Sequence, residues 1–157
     1  MKIGVIADTH GDTLALRRAL GSLKDAEAWI HLGDVVSDAA LLRKQSGVAV
    51  YSVRGNCDFS ASAELERIIE LCGVRLFAVH GHSYHVDYDR SELSYRAQEL
   101  GCIAALYGHT HISLIENDGR TLMINPGSPS KPRHGRMPSI AVLEISNGDI
   151  SARIMTI

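Results

Sequence analysis

The stretch Lys2-Ile-Gly-Val-Ile-Ala-Asp-Thr-His10 joins a short apolar run to two side chains that can bind a metal. Residues 3–7 predict a buried strand, because the run is short, apolar and contains β-branched residues. Asp12 or Thr13 can cap a following helix, in which Leu16 and three later apolar residues recur at helical spacing. A strand that leads into a helix is the repeating unit of α/β domains, so we expect that class here.

The alternation of strands and helices continues through the first two thirds of the chain. Further strands are predicted at residues 28–32, 48–53 and 102–107. A second helix is predicted over residues 37–45 with Ser37 as its cap, and a third begins at Ser91 and ends at Gly101. Residues 65–79 are ambiguous, because their apolar spacing fits a helix while the β-branched residues around Gly73 fit a hairpin.

The last third of the chain predicts hairpins joined by an irregular loop. The turns are Asn117-Asp118-Gly119 and Asn147-Gly148, between strands at 112–115, 121–124, 140–145 and 150–157. Residues 125–138 hold all four prolines and therefore predict a loop. Its basic segment, residues 131–136, either is a solvated surface or contacts a substrate, and we favour the solvated surface.

Five apolar runs end in residues that can bind a metal. These are Asp8-Thr9-His10, Asp34, Asn56, His80-Gly81-His82 and His109-Thr110-His111. Strand ends on one edge of an open α/β sheet share a crevice, so we expect these side chains to lie together. Glycine stands beside several of them, at positions 33, 55, 81 and 108, where it lets the chain turn sharply. Each motif alone fits an ordinary turn or helix cap, but five in one short chain favour a metal site.

The predicted donor set is a mixture of oxygen and nitrogen without thiolate. Such a set suits Mn²⁺, Fe²⁺, Zn²⁺, Co²⁺, Ni²⁺ or Mg²⁺. If Asp34 bridges, about eight coordination bonds are filled, which is enough for two ions about 3.5–4 Å apart. Two such ions lower the pKa of a bridging water and hold the oxygens of a phosphoryl group.

The five blocks resemble those of the calcineurin-like metallophosphoesterases. The short chain and the segment Asn125-Pro-Gly-Ser-Pro-Ser-Lys-Pro-Arg133 are similar in particular to the small YfcE-type phosphodiesterases. The resemblance implies a four-layer αββα sandwich, with the metal site at the C-terminal ends of the strands, in a single domain over residues 1–157. It also implies that residues 65–79 form a hairpin and that the C-terminal hairpins join the second sheet.

The resemblance also implies two sets of metal ligands. One ion would be held by Asp8, His10, Asp34 and His111. The second would be held by Asp34, Asn56, His80 and His109, with Asp34 bridging. We expect the two divalent ions to be Mn²⁺, with Ni²⁺, Zn²⁺, Fe²⁺, Co²⁺ or Mg²⁺ as alternatives.

One position departs from the larger members of the superfamily, which have Gly-Asn-His-Glu where this chain has Gly55-Asn56-Cys57-Asp58. In those members the histidine orients the phosphate or protonates the leaving group. A thiol is a poor substitute beside cations, which favour the thiolate. The small YfcE-type enzymes are similar in carrying cysteine here. His82 is the best alternative acid, and a hydrogen-bonding role beside the ligands is an equal alternative. The catalytic residues predicted are therefore Asp34, Asn56 and His82.

The sequence therefore predicts a phosphoesterase that uses a metal-bridging hydroxide as nucleophile. Two divalent ions, two carboxylates and that hydroxide leave one positive charge. A phosphodiester monoanion neutralises this charge, so we expect a small phosphodiester as the substrate. A phosphomonoesterase or protein phosphatase is the first alternative. The second is a non-catalytic protein-binding scaffold on the same fold, which the complete set of ligand residues disfavours.

Composition limits the remaining possibilities. A chain of 157 residues with 45% hydrophobic and 22% charged residues predicts one globular domain. A net charge of −2 argues against binding of long nucleic acid by phosphate neutralisation. The three cysteines form no C-x-x-C pair, and no apolar run has the length of a membrane helix or signal peptide. We therefore expect a cytoplasmic protein without membrane partners, in which an apolar hairpin edge offers a route to self-association.

His31, between Ile30 and Leu32, is interpreted as a packed core histidine rather than a ligand.

Overall fold

The computed structural model describes residues 1–59 and 62–157, so residues 60 and 61 of the loop at 59–63 lie outside the described residues. The described chain contains helices α1 to α3 and strands β1 to β10. The helices are α1 (Thr13–Ser22), α2 (Ser37–Ser46) and α3 (Ser91–Glu99). The strands are β1 (Lys2–Ile6), β2 (Ala28–His31), β3 (Ala49–Ser52), β4 (Glu66–Leu71), β5 (Val74–Val79), β6 (Ala104–Leu106), β7 (Ser113–Asn117), β8 (Leu122–Pro126), β9 (Ser139–Ser146) and β10 (Asp149–Thr156).

The strands form two mixed sheets. The first has the order β10-β9-β1-β2-β3, in which β1, β2 and β3 are parallel. The second has the order β4-β5-β6-β8-β7, in which β5, β6 and β8 are parallel. The ambiguous segment at 65–79 is therefore a hairpin, whose turn residues Cys72 and Gly73 both have positive φ. This is the backbone that a two-residue hairpin turn requires.

Helices cover the outer faces of the two sheets, which confirms the four-layer αββα arrangement. Side chains such as Val5 and Ile30 from the first sheet meet Leu76 and Leu106 from the second in one apolar core between the sheets. On the other face of the first sheet, Leu16 of α1 and Leu42 of α2 pack around Trp29. On the outer face of the second sheet, Leu93 and Ala97 of α3 pack around Phe77.

Both C-terminal hairpins form, but the expectation that both join the second sheet is wrong. The hairpin of β7 and β8 does join it, whereas β9 pairs antiparallel with β1 in the first sheet. The reason is that β9 is apolar on both faces. Ala141 and Leu143 enter the core between the sheets, while Ile140 and Val142 pack on the helix side. A strand of this kind needs cover on both faces, and the place beside β1 provides it.

The predicted helix caps are only partly confirmed. Asp12 caps α1, because its carboxylate accepts hydrogen bonds from the N–H groups of Leu14 and Ala15. Ser37 does not cap α2: the N-cap residue is Val36, which makes no side-chain cap bond. A carboxylate from another loop, Asp58, accepts the Val36 N–H instead, at 2.8 Å. Within the described ranges, none of the helices combines the length and apolarity needed to cross a membrane.

Candidate metal centre

The C-terminal ends of strands from both sheets meet at one edge of the sandwich. After β1 and β2, the N–H of Asp8 donates to the carbonyl of Gly33 at 3.1 Å. After β5 and β6, the N–H of Gly108 donates to the carbonyl of His80 at 2.9 Å. The sequence pattern predicted a crevice along the edge of one sheet, and the structure builds it from the edges of two.

The first predicted set of ligands comes together around Asp8. Nε2 of His10 and Nε2 of His111 are 3.2 Å apart, and the latter is 3.4 Å from Oδ1 of Asp8. The ligand atoms of Asp8, His10 and His111 all lie within 4.8 Å of one another. Asp34 lies close to this set, since one of its carboxylate oxygens groups in the same way with His10 and Cys57.

The second predicted set centres on His80. Nε2 of His80 is 3.1 Å from Oδ1 of Asn56, 3.4 Å from Oδ1 of Asp34 and 3.9 Å from Oδ1 of Asp8. The fourth predicted ligand, His109, lies at the margin of the set, with its ring centroid 5.3 Å from that of His80. Its backbone N–H donates to Oδ2 of Asp8 at 3.0 Å.

Backbone carbonyls fix which nitrogen of His80 and of His111 faces the cluster. Nδ1 of His80 is 2.7 Å from the carbonyl of Leu32, and Nδ1 of His111 is 2.7 Å from the carbonyl of Lys131. A carbonyl only accepts hydrogen bonds, so each Nδ1 carries the proton and each Nε2 of the neutral ring presents a lone pair. Burial lowers the pKa of His80 to about 4, so this ring is neutral at pH 7.

Asp8 provides the test of whether these residues fit a metal. Its side chain is fully buried, and Oδ1 has no hydrogen-bond partner among the residues that the structure describes. Burial, and then the negative charge of Asp34, hold the pKa of Asp8 well above its usual range. Buried carboxylate oxygens and imidazole nitrogens thus converge at one point, where the ionised form of Asp8 is unfavourable unless a cation is bound. The donor set fits divalent transition metals.

The backbone at the site is held in an uncommon conformation. Five predicted ligands have φ between 49° and 67°, in the left-handed region: Asp8, His10, Asp34, His109 and His111. A non-glycine residue in this region costs about 1–3 kcal/mol and persists only where the surrounding structure enforces it. Strain at five predicted metal ligands is the pattern expected where a fold maintains side-chain positions for function rather than for stability.

Two glycines let the loops after β2 and β3 approach closely. A Cβ on residue 33, where φ is 96°, would lie 2.6 Å from the backbone nitrogen of Gly55. A Cβ on residue 55 would collide with the carboxylate of Asp34. Gly33 therefore serves the sharp turn that the sequence predicted, while Gly55 is required for space.

The carboxylate of Asp58 joins the loops that carry Asp34 and Asn56. One oxygen accepts the Val36 N–H and the other accepts the Gly55 N–H, both at 2.8 Å. The sequence shows Asp58 only as part of the Gly55–Asp58 block, and this role was not predicted. Its spacing gives no indication that the carboxylate reaches back to the N-terminus of α2.

A buried chain of hydrogen bonds also holds the loop after β1. Nδ1 of His31 accepts the Gly33 N–H at 3.2 Å, so Nε2 donates to Oγ1 of Thr9 at 3.0 Å. Thr9 in turn donates to Oδ2 of Asp38 at 2.6 Å. His31 is thus a packed core histidine, as predicted. It holds Thr9 in place, and Thr9 lies between the predicted ligands Asp8 and His10 in the sequence. No pattern in the sequence indicated that Asp38 takes part in this chain of hydrogen bonds.

The proline-containing loop passes directly over Asp8. Ser128 and Ser130 both donate from their hydroxyls to the carbonyl of Asp8, at 2.8 and 3.0 Å. Asn125 donates from its amide to the carbonyl of Gly108 at 2.8 Å. The basic residues of this loop are exposed, as the solvated-surface interpretation predicts. Their charge nevertheless reaches the site, since burial and then Lys131 lower the pKa of His10.

His82 and Cys57 lie beside the predicted ligands. The ring of His82 is 5.5 Å from that of His80 and 6.2 Å from that of His109. Its buried Nδ1 has no hydrogen-bond partner in the described part of the chain, and burial followed by the charge of His109 lowers its pKa. In the metal-free protein, partial burial and the Asp34 carboxylate raise the pKa of the Cys57 thiol to about 11.

Comparison with known proteins identifies the family. Residues 1–148 match the family model described as the calcineurin-like phosphoesterase superfamily domain. Probable metallophosphoesterase YsnB of Bacillus subtilis (strain 168) is 31% identical over 159 residues, which cover 98% of this chain and 89% of the relative. Phosphodiesterase YfcE of Escherichia coli (strain K12) is 30% identical over 169 residues, which cover 92% of this chain and 88% of the relative.

A solved structure extends the similarity to the whole fold. The crystal structure of a conserved uncharacterized protein from Streptococcus pneumoniae, named a predicted phosphoesterase, superimposes with a TM-score of 0.83 at 30% identity. The match covers 99% of this chain and 88% of that one. The chain therefore belongs to the calcineurin-like phosphoesterase superfamily and is a metallophosphoesterase, a hydrolase of phosphoric esters.

Proposed function

We propose that this protein hydrolyses a small phosphodiester with the help of two divalent metal ions, for which Mn²⁺ is the leading candidate. The observation that carries the proposal is the convergence of carboxylate oxygens and histidine nitrogens around the buried Oδ1 of Asp8, which has no hydrogen-bond partner among the residues described. Two ions bound there would supply a bridging hydroxide as nucleophile and would stabilise charge on the phosphoryl oxygens.

The residues divide into two overlapping sets. Asp8, His10, Asp34 and His111 would hold one ion, and Asp34, Asn56, His80 and His109 would hold the other. The central position of Asp34 supports its role as the shared ligand: it lies 3.4 Å from His80 and also groups with His10. Because backbone carbonyls orient His80 and His111, these ligands are positioned before any metal binds.

The charge of the site favours a diester over a monoester. The carboxylates of Asp8 and Asp34 and one hydroxide compensate three of the four positive charges of two divalent ions. A diester monoanion completes the neutralisation, whereas a monoester dianion leaves excess negative charge in a buried site. The name of the E. coli relative, phosphodiesterase YfcE, agrees with this preference.

His82 is proposed as the group that donates a hydrogen bond or proton to the leaving oxygen. Its ring lies beside His80 and His109, and its buried Nδ1 has no partner among the described residues. Because Nδ1 is buried, Nε2 is the nitrogen of this ring that can contact a substrate atom. Cys57 cannot replace it efficiently, because a thiol beside two cations would lose its proton.

Hydrolysis of matched esters tests the proposal. Metal-stripped protein is reloaded with Mn²⁺ and assayed with bis(p-nitrophenyl) phosphate and with p-nitrophenyl phosphate. We expect metal-dependent hydrolysis with higher kcat/KM for the diester. We also expect a loss of about 100-fold or more in Asp34→Asn, because a shared ligand affects both ions. Asp25→Asn is the matched control, since Asp25 is exposed and pairs with Lys2, away from the predicted ligands.

Two outcomes would overturn the proposal. Higher kcat/KM for the monoester would assign the protein as a phosphomonoesterase. Binding of Mn²⁺ without hydrolysis of either ester would favour a non-catalytic scaffold on this fold.

A further inference from the structure

Three predicted histidine ligands each have a ring nitrogen close to an acceptor outside the ligand sets, and His109 differs from the other two in which nitrogen this is. His80 and His111 each donate from Nδ1 to a backbone carbonyl. His109 instead has Nε2 at 2.8 Å from Oδ2 of Asp87, a side chain in the segment after β5. The contact therefore involves the opposite ring nitrogen, and the partner is a carboxylate that can be changed by mutation.

The contact with Asp87 determines which nitrogen of His109 can bind a metal. A carboxylate oxygen has no proton to donate and would repel a lone pair on Nε2 at 2.8 Å, so Nε2 of His109 carries the proton. In the neutral ring, the lone pair is then on Nδ1. Without this acceptor, the proton of an imidazole can reside on either nitrogen, and only one of the two tautomers leaves Nδ1 free.

The segment that carries Asp87 is held in place by the core. It follows a short 3₁₀ helix at His82–Tyr84, and the side chains of Tyr84 and Val86 are buried against the second sheet. The N–H of Tyr88 donates to the carbonyl of His85 at 2.9 Å. The Asp87 side chain itself is 41% exposed, so it lies at the rim of the site and contributes little to the core.

We propose that Asp87 is a positioning residue that fixes the tautomer of His109 and presents Nδ1 of that ring as the ligand of the second metal ion. This inference rests on the proposed two-metal function. It adds a carboxylate–histidine–metal arrangement that involves a residue outside the five sequence blocks. Carboxylates in this position orient metal-bound histidines in many sites, and their loss weakens metal binding about 10–100-fold.

Nitrogen NMR of the metal-free protein tests the tautomer directly. In ¹⁵N-labelled wild-type protein at neutral pH, we expect His109 to be protonated on Nε2. In Asp87→Ala we expect a mixture of tautomers, and in Asp87→Glu we expect Nε2 protonation to return. The control is Asp89→Asn, because Asp89 lies in the same segment but its carboxylate bonds to its neighbours Arg90 and Ser91. An unchanged His109 spectrum in Asp87→Ala would overturn the inference.

Calorimetric titration with Mn²⁺ provides the second readout. In Asp87→Ala we expect one of two bound ions to weaken about 10–100-fold while the other keeps its affinity. Equal affinities in wild type and Asp87→Ala would overturn the role of Asp87 and leave the proposed function intact. Failure of the wild-type protein to bind a second ion would overturn the proposed function instead, so the two failures are distinguishable.

Discussion

Replacement of Asp8 by Asn is expected to stabilise the metal-free protein and to abolish its stabilisation by metal. In the wild-type protein, Oδ1 of Asp8 is buried without a hydrogen-bond partner among the described residues. Its pKa is raised, so the favourable protonated form is present at low pH and is lost as the pH rises through the folded-state pKa. Above the pKa of an unfolded aspartate, the metal-free protein therefore bears the free-energy cost of keeping this buried carboxyl either ionised or protonated, and Asn does not have this cost.

The geometry sets the size of the effect. Asn at position 8 can keep an oxygen where Oδ2 accepts the His109 N–H at 3.0 Å. Its amide nitrogen then takes the place of Oδ1, which lies 3.4 Å from Nε2 of His111. Removal of an unsatisfied buried group is worth about 1–3 kcal/mol, so we expect a gain of about 2 kcal/mol. For a chain of this length, that corresponds to a rise in Tm of about 4–8 °C.

Thermal unfolding with EDTA and with excess Mn²⁺ measures both parts of the prediction. Metal at 100 times its Kd stabilises the wild-type protein by about 2.7 kcal/mol, so the order of the two Tm values should reverse when metal is added. Asp12→Asn is the matched control, because Asn caps a helix as well as Asp does. A lower Tm for Asp8→Asn in EDTA, or an equal response of both proteins to Mn²⁺, would refute the reasoning.

Three further predictions concern the support of the site and its chemistry. Burial lowers the pKa of His31 to about 4. The neutral ring therefore contributes about 3 kcal/mol to the free energy of unfolding near neutral pH, and this contribution is lost as the pH falls from about 6.5 to 4. Urea unfolding in EDTA should therefore show a weaker pH dependence in His31→Gln, and identical profiles would contradict this. Asp58→Ala leaves the N–H groups of Val36 and Gly55 without their acceptor, so it should lower the free energy of unfolding in urea by about 3–5 kcal/mol. A loss below about 1 kcal/mol would contradict the role of Asp58. His82→Ala should lower kcat about 100-fold for alkyl esters and much less for p-nitrophenyl esters, and an equal loss for both would exclude His82 as the proton donor.

Much of the fold could be predicted from periodicity and turn residues. The strand–helix alternation from β1 to β3 and the Asn-Gly turn of the last hairpin are local features, and the structure confirms them. The sheet that each hairpin joins could not be predicted in the same way. The pairing of Lys2 in β1 with Glu144 in β9 joins opposite ends of the chain, and no local pattern records it. The hairpin at 65–79 also needed more than spacing, because six-residue strands and one helical face share similar apolar intervals.

The residues that form the candidate site were more predictable than those that support it. Asp8, Asp34 and His80 stand directly beside turns at strand ends, and chemistry-bearing side chains in such places are visible in a sequence. Asp58 bonds to Val36 and Asp87 contacts His109, each about twenty positions away, and a lone acidic residue in a loop has no distinguishing pattern. The tautomers of the histidines likewise depend on backbone carbonyls that only the folded chain brings into contact.

The number of metal ions bound per chain tests the central claim most directly. Metal-stripped protein is equilibrated with Mn²⁺, passed through a desalting column and analysed for metal and protein together. The overlap of the two ligand sets at Asp34 predicts two ions per chain, with diester hydrolysis rising as the second ion binds. Full hydrolytic activity with a single ion per chain would contradict the two-metal account.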